Sequence, residues 1–175
     1  NKKTIFLLEN TYLPFSDIWR YKLMYEKGGY WVDMDMICIR PFDFKEEYVF
    51  ASERTIKEGA YKMSVPHIAN INFLKAPKHS VFYKELFEKC MSLQNKNTNN
   101  DKIKYMRVLR KMIEDKKLKK YIKPPKYFCH LDWWYAKDAY MSVKQFRPKY
   151  GHPAKSINSM FSNNVYTIHL WRNLT

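Results

Sequence analysis

Residues 16–41 read SDIWRYKLMYEKGGYWVDMDMICIRP, and the change of periodicity inside this stretch decides the architecture. Ser16 can accept a hydrogen bond from the open backbone N–H groups of a helix start, and Asp17 suits the positive end of the helix dipole. The spacing predicts a helix over 17–27 that buries Ile18, Tyr21 and either Met24 or Tyr25. Gly28-Gly29 ends it, since glycine adopts the positive φ a helix stop requires, and we read the pair as that stop rather than as a phosphate cradle. Tyr30-Trp31-Val32 then forms a strand running into Asp33-Met34-Asp35. Residues 36–39 continue as a second extended segment, closed by Arg40-Pro41.

The two aspartates are the chemically pointed part of this stretch. In an ideal strand residues i and i+2 share a face, so both carboxylates would point the same way, about 7 Å apart along the backbone. Flanked by Trp31, Val32, Met36 and Ile37, two like charges raise one another's cost of ionisation unless a cation lies between them. A hard divalent ion such as Mg²⁺ or Mn²⁺ answers that, and it keeps positions open for substrate phosphates. The plain alternative is a pair of solvated side chains at an edge or in a turn.

Outward from here the chain alternates strands and helices. Residues 4–8 (TIFLL) read as a short buried strand, 48–51 as another, and 67–74 as a third beyond a polar loop over 53–65. Pro77 turns the chain into a helix over 80–93. Residues 94–101 (QNKNTNND) form a surface loop. Between 102 and 126 lysines crowd around Ile103, Met106, Leu109 and Ile113 at helical spacing, an amphipathic helix with a solvated basic face that Pro124-Pro125 stops. Residues 151–164 read as a polar loop, and 165–170 as a last strand leading to Trp171. Such alternation predicts an α/β fold, one domain over 1–175 with a mixed central sheet flanked by helices.

Composition narrows the classes. Hydrophobic residues make up 46% and aromatics 17% of the 175 positions, too much for a disordered chain. No apolar run reaches the roughly 20 residues of a membrane span. Cys38, Cys90 and Cys129 are too few and too scattered for a disulfide framework or a zinc site, which favours a reducing compartment. The net charge of +15 attracts polyanions. Nucleic acid, a nucleotide diphosphate and an acceptor on an anionic surface all meet that description.

The combined run, Ser16-Asp17-x-x-Arg20-Tyr21 followed by Gly28-Gly29-Tyr30-Trp31-Val32-Asp33-Met34-Asp35 and a proline, resembles the DxD-containing glycosyltransferases. These include the initiating α-1,6-mannosyltransferases, the α-1,4-galactosyltransferase-like enzymes and the bacterial glucosylating toxins. One departure is Tyr30-Trp31, where those proteins usually carry an aliphatic residue and then Tyr. The resemblance implies a GT-A fold, a nucleotide-diphosphate sugar donor, a glycan or glycoprotein acceptor and usually Mn²⁺, with Mg²⁺ as the other candidate. It implies that Asp35 ligates the metal, that Asp33 ligates it and also reaches the donor ribose or sugar, and that Asp17 and Arg20 grip the transferred sugar's hydroxyls. Such proteins commonly have several tens of residues ahead of the Ser-Asp pair, against 15 here, so part of the base-binding region is expected to be missing or built differently.

Further along, residues 67–70 and 75–79 resemble a second segment of the same proteins. That makes Asn70 a donor-sugar or acceptor-side contact, or else a satisfied strand-end asparagine. Ile168-His169-Leu170-Trp171 resembles their His-x-Trp ending, which gives His169 as a third metal ligand or diphosphate contact and Trp171 as a lid. Trp133 and Trp134 are either an acceptor platform or core. Asp132 is the candidate general base, unless transfer retains configuration and needs none.

The function expected is metal-dependent sugar transfer to a hydroxyl, in the cytoplasm, or in the Golgi lumen if an N-terminal anchor has been removed. Two alternatives from other classes remain at this stage, beside a degenerate transferase kept only for binding. A nucleic-acid-binding module accounts for the charge but leaves the paired aspartates unexplained, and no nucleic-acid partner is expected on the favoured reading. A metal-dependent phosphohydrolase would use the aspartates but commonly gathers more carboxylates.

Overall fold

The computed structural model describes residues 13–54, 68–94, 104–140, 161 and 163–171. These residues divide into two compact units, one holding residues 13–31, 46–49, 74–94 and 104–121 and the other residues 32–45, 50–54, 68–73, 122–140, 161 and 163–171.

The first unit is helical. Helix α1 (Leu13–Glu26), α2 (Val81–Gln94) and α3 (Lys104–Asp115) pack on one another. They bury Ile18, Tyr21 and Met24 of α1 against Phe82, Tyr83, Leu86 and Cys90 of α2 and Tyr105, Leu109, Met112 and Ile113 of α3. The Tyr21 hydroxyl donates to the Tyr105 carbonyl across 3.3 Å. Helix α1 begins ahead of the expected start, with Pro14 in its first turn, where proline's missing N–H costs nothing. Ser16 therefore lies inside the helix rather than capping it, and Asp17 lies beyond the first turn. Of the two candidates for the buried position, Met24 is buried and Tyr25 is half-buried.

The glycine stop is as expected. Gly28 and Gly29 have φ of +64° and +79°, and a Cβ on Gly28 would stand 2.4 Å from the Lys78 backbone nitrogen. The close approach matters because the chain entering α2 docks here. The His79 N–H donates to the Tyr25 carbonyl (2.7 Å), and the rings of Tyr25 and His79 meet edge to face. Ser80 caps α2, its Oγ accepting from the Tyr83 N–H at 3.4 Å.

Helix α3 ends earlier than the lysine-rich sequence implies. Lys117 takes a positive φ of 57°, and the Leu118 N–H returns to the Ile113 carbonyl at 2.8 Å, a stop of the Schellman kind. A short 3₁₀ turn follows at Lys119–Tyr121. Pro124-Pro125 thus does not break the basic helix. Pro125 instead opens a new one-turn helix, α4 (Pro125–Phe128). The buried stripe of α3 runs through Tyr105 and Met112, with Met106 only half-buried.

Three strands form one sheet in the order β1 (Gly29–Val32), β4 (Ile68–Ala76), β3 (Val49–Glu53). The central strand β4 is buried along most of its length, as its apolar run predicts. In the second unit β2 (Met36–Cys38) pairs antiparallel with β5 (Thr167–His169), setting Met36 opposite His169. The Ile39 N–H to Tyr166 carbonyl bond (2.8 Å) extends this ladder at one end, and the Leu170 N–H to Asp35 carbonyl bond (2.9 Å) extends it at the other.

The core of the second unit is aromatic. Phe73 stacks on Phe128 with centroids 3.9 Å apart, and Phe44 packs on Phe73, Phe128 and Tyr166. The elements are those of a mixed α/β protein whose strands lie in two small sheets. Gln94, expected to open a loop over 94–101, is the last residue of α2. The expected strand over 4–8, residues 95–101, Ile103, His67 and most of the loops over 53–65 and 151–164 lie outside the described residues.

Candidate metal centre

Asp33 follows β1, and its backbone N–H donates to the Asn72 carbonyl of β4 at 2.9 Å. The chain then turns, with the Met36 N–H returning to the Asp33 carbonyl at 3.2 Å. Asp33-Met34-Asp35 is therefore a turn between β1 and β2 rather than a strand end. Met34 at the tip is fully exposed, while both aspartates are half-buried. Convergence comes from the β2–β5 ladder. Because Met36 pairs with His169 and Leu170 bonds Asp35, the imidazole is carried back to the turn. One ligand atom from each of Asp33, Asp35 and His169 lies within 4.8 Å of the others.

His169 Nε2 lies 3.2 Å from Asp35 Oδ1. The ring is buried, and burial pulls its pKa below the ordinary histidine value although the Asp35 carboxylate pushes the other way. The imidazole is therefore held neutral, the form that binds a metal. On its other side Nδ1 lies 3.1 Å from Asn72 Nδ2, which in turn donates to Cys129 Sγ at 3.0 Å. The Trp171 ring covers the imidazole with centroids 4.0 Å apart. Its indole N–H is fixed on the Leu131 carbonyl at 2.8 Å, and its backbone takes a φ of +56°. Two carboxylates and one neutral imidazole make a mixed oxygen and nitrogen set, chemically suited to a divalent metal ion.

The other residues expected from the sequence fall in distinct settings. In the first unit Asp17 and Arg20 form an i,i+3 pair at 3.5 Å, and Arg20 lies over the Trp31 ring at 4.8 Å. Both members are buried, so this is no surface helix salt bridge.

In the second unit Asn70 is buried, and its Nδ2 donates to Glu53 Oε2 at 2.7 Å. Its Oδ1 accepts from the Ile71 and Asn72 N–H groups at 2.6 and 3.1 Å. Asp132 is buried and paired with Arg54. Trp133 is half-buried and meets the buried Trp134 edge to face.

The sequence reading passed over Asn72, Cys129, Glu53 and Arg54. Asn72 had a signal: two asparagines at i and i+2 in an otherwise apolar strand share one face. Cys129 had none, because a buried thiol looks like any small apolar residue.

Residues 4–58 match the family of glycosyltransferase sugar-binding regions containing a DXD motif. Asp33-Met34-Asp35 lies inside that match, so the resemblance to DxD-motif glycosyltransferases holds for this region of the chain. No curated protein and no solved structure matches the chain. Among the described residues no helix is long and apolar enough to cross a membrane.

Proposed function

We propose that the chain transfers a hexose from a nucleotide-diphosphate sugar to a hydroxyl of a glycan or glycoprotein, with Mn²⁺ held by Asp33, Asp35 and His169 on a GT-A-like scaffold. The observation that carries this reading is the meeting of both motif aspartates with a histidine from the far end of the chain. Solvated aspartates in a turn would not need that partner. A bound cation would supply charge neutralisation on the departing diphosphate.

The protein's own groups divide the remaining work. Asp33 and Asp35 present carboxylate oxygens, and the turn that holds them is fixed by backbone bonds to β4 and to Leu170. His169 adds a neutral nitrogen, and Trp171 shields that ring from water. Asp17 and Arg20 supply an acceptor and a donor for sugar hydroxyls. Asn70, braced on Glu53, is a polar group on the central strand for the donor sugar.

We assign Trp133 as the acceptor-facing ring, with Trp134 supporting it from the core. Asp132 was the sequence's candidate base. Its pairing with Arg54 favours a positioning role, holding the guanidinium for an anionic part of the donor, over the taking of an acceptor proton.

The test is a melting-temperature screen of nucleoside diphosphates and nucleotide sugars with and without Mn²⁺. A ligand that binds only the folded chain raises the midpoint by mass action. One nucleotide should give a shift that requires Mn²⁺ and disappears in Asp35→Asn. A shift with oligonucleotides alone, retained in Asp35→Asn, would move the function to nucleic-acid binding.

A further inference from the structure

We propose that Asn72, anchored on the Cys129 thiol, is the positioning residue that sets the ring tautomer of His169 and so turns the Nε2 lone pair toward the cation. This rests on the metal reading above and concerns the residues behind the ligand.

In the arrangement seen, the Asn72 amide nitrogen faces both His169 Nδ1 (3.1 Å) and Cys129 Sγ (3.0 Å). An amide N–H directed at Nδ1 makes that nitrogen the acceptor, which leaves the ring proton on Nε2, directed at Asp35 Oδ1 3.2 Å away. That tautomer is self-consistent and cannot ligate a metal through Nε2. A ligating Nε2 needs the proton on Nδ1, and Nδ1–H then needs an acceptor behind it.

Asn72 holds the means. Its Oδ1 is buried and accepts no hydrogen bond, so nothing on that side holds the amide in the orientation seen. Rotation by 180° about the Cβ–Cγ bond exchanges oxygen and nitrogen at nearly the same positions. The oxygen then accepts from His169 Nδ1–H and from the Cys129 S–H together.

Cys129 can fill the donor role because it stays a thiol. Burial pushes its pKa well above the ordinary range, against a smaller opposing effect of the Asn72 hydrogen bond. One proton leaves Nε2 and one is gained at Nδ1, so the ring's charge is unchanged. Asn72 is itself fixed by the backbone of β4, whose carbonyl at this residue receives the Asp33 N–H. The same residue thus ties down one motif aspartate and orients the histidine.

The experiment measures Mn²⁺ affinity by electron paramagnetic resonance of the free ion, on the full chain and on Asn72→Leu and Asn72→Asp. Leucine keeps the size and removes the acceptor, while aspartate keeps an acceptor toward Nδ1. We expect Asn72→Leu to weaken binding about tenfold or more, as loss of a partner behind a metal-bound histidine does. Asn72→Asp should bind within a few-fold of the parent chain or tighter. Nitrogen chemical shifts of His169 should report Nε2–H without metal and Nδ1–H with Mg²⁺.

Equal affinity in Asn72→Leu would overturn the assignment while leaving the metal reading intact. So would a folded Asn72→Asp that has lost binding, which keeps the test decisive even if the leucine variant does not fold. A parent chain without Mn²⁺ affinity would overturn both.

Discussion

Gly28 shows how much one residue without a side chain can decide. It stops α1 at a φ of +64° and lets the Lys78 backbone pass where a Cβ would stand. Gly28→Ala meets the strain of a positive φ and a clash with main chain, and should cost about 2 kcal/mol or more by chemical denaturation. Gly29, at +79° but with open space around it, should cost less on the same change. At this scale the candidate site was legible where chemistry repeats in the sequence. Asp33, Asp35 and His169 were each visible and do come together. Asp132 was legible as a carboxylate but its partner Arg54 was not, because a pair so far apart in the chain has no sequence spacing to betray it. The same holds for Asn72 and Cys129, brought together only by folding.

Among the elements, α3 separates burial from charge. Leu109 is fully buried between helices, and Leu109→Ala should destabilise the helical unit by about 2–5 kcal/mol. Lys111 reaches Asp115 at 3.5 Å on the exposed face, and Lys111→Ala should change stability by no more than about 0.5 kcal/mol. Urea titrations of the two variants check both values. Hydrophobic spacing read α3 as a helix correctly but extended it too far. Lysine is a good helix former, and the stop comes from Lys117 in the left-handed region, a backbone choice that no proline or glycine marks. The start of α1 was misplaced for a related reason: Ser16 and Asp17 look like a cap, yet the helix already runs from Leu13, with Pro14 in its first turn. Strands β1 to β4 were legible because alternating or continuous apolar runs mark them. The turn at Asp33-Met34-Asp35 stood only as the plain alternative to a strand end, since the bond from the Met36 N–H to the Asp33 carbonyl is a main-chain bond that no residue type marks.

For the whole molecule, the buried acids of the helical unit predict its response to alkali. Burial drives the Cys90 thiol up to about 12 and raises Tyr21 well above its ordinary value. The unfolded chain releases these protons from about pH 9 upward while the folded chain retains them, so this stability is intact below pH 9 and is lost as pH rises through the folded values. Each such group should contribute a fall of about 1.4 kcal/mol per pH unit in its window, and Cys90→Ala should flatten the slope by one proton in pH-dependent melting. In the native protein a disulfide reagent should modify the exposed Cys38 quickly and the buried Cys90 and Cys129 only on unfolding. The central claim, that the chain is a metal-dependent transferase, is tested most directly by turnover of the nucleotide sugar identified by melting. The measurement is release of its nucleoside diphosphate in the presence of a hydroxyl acceptor. The account predicts release that requires Mn²⁺, yields a glycosylated acceptor and is lost in Asp35→Asn without loss of fold. Release that continues undiminished in Asp35→Asn, or that gives only free sugar whatever acceptor is supplied, would contradict it.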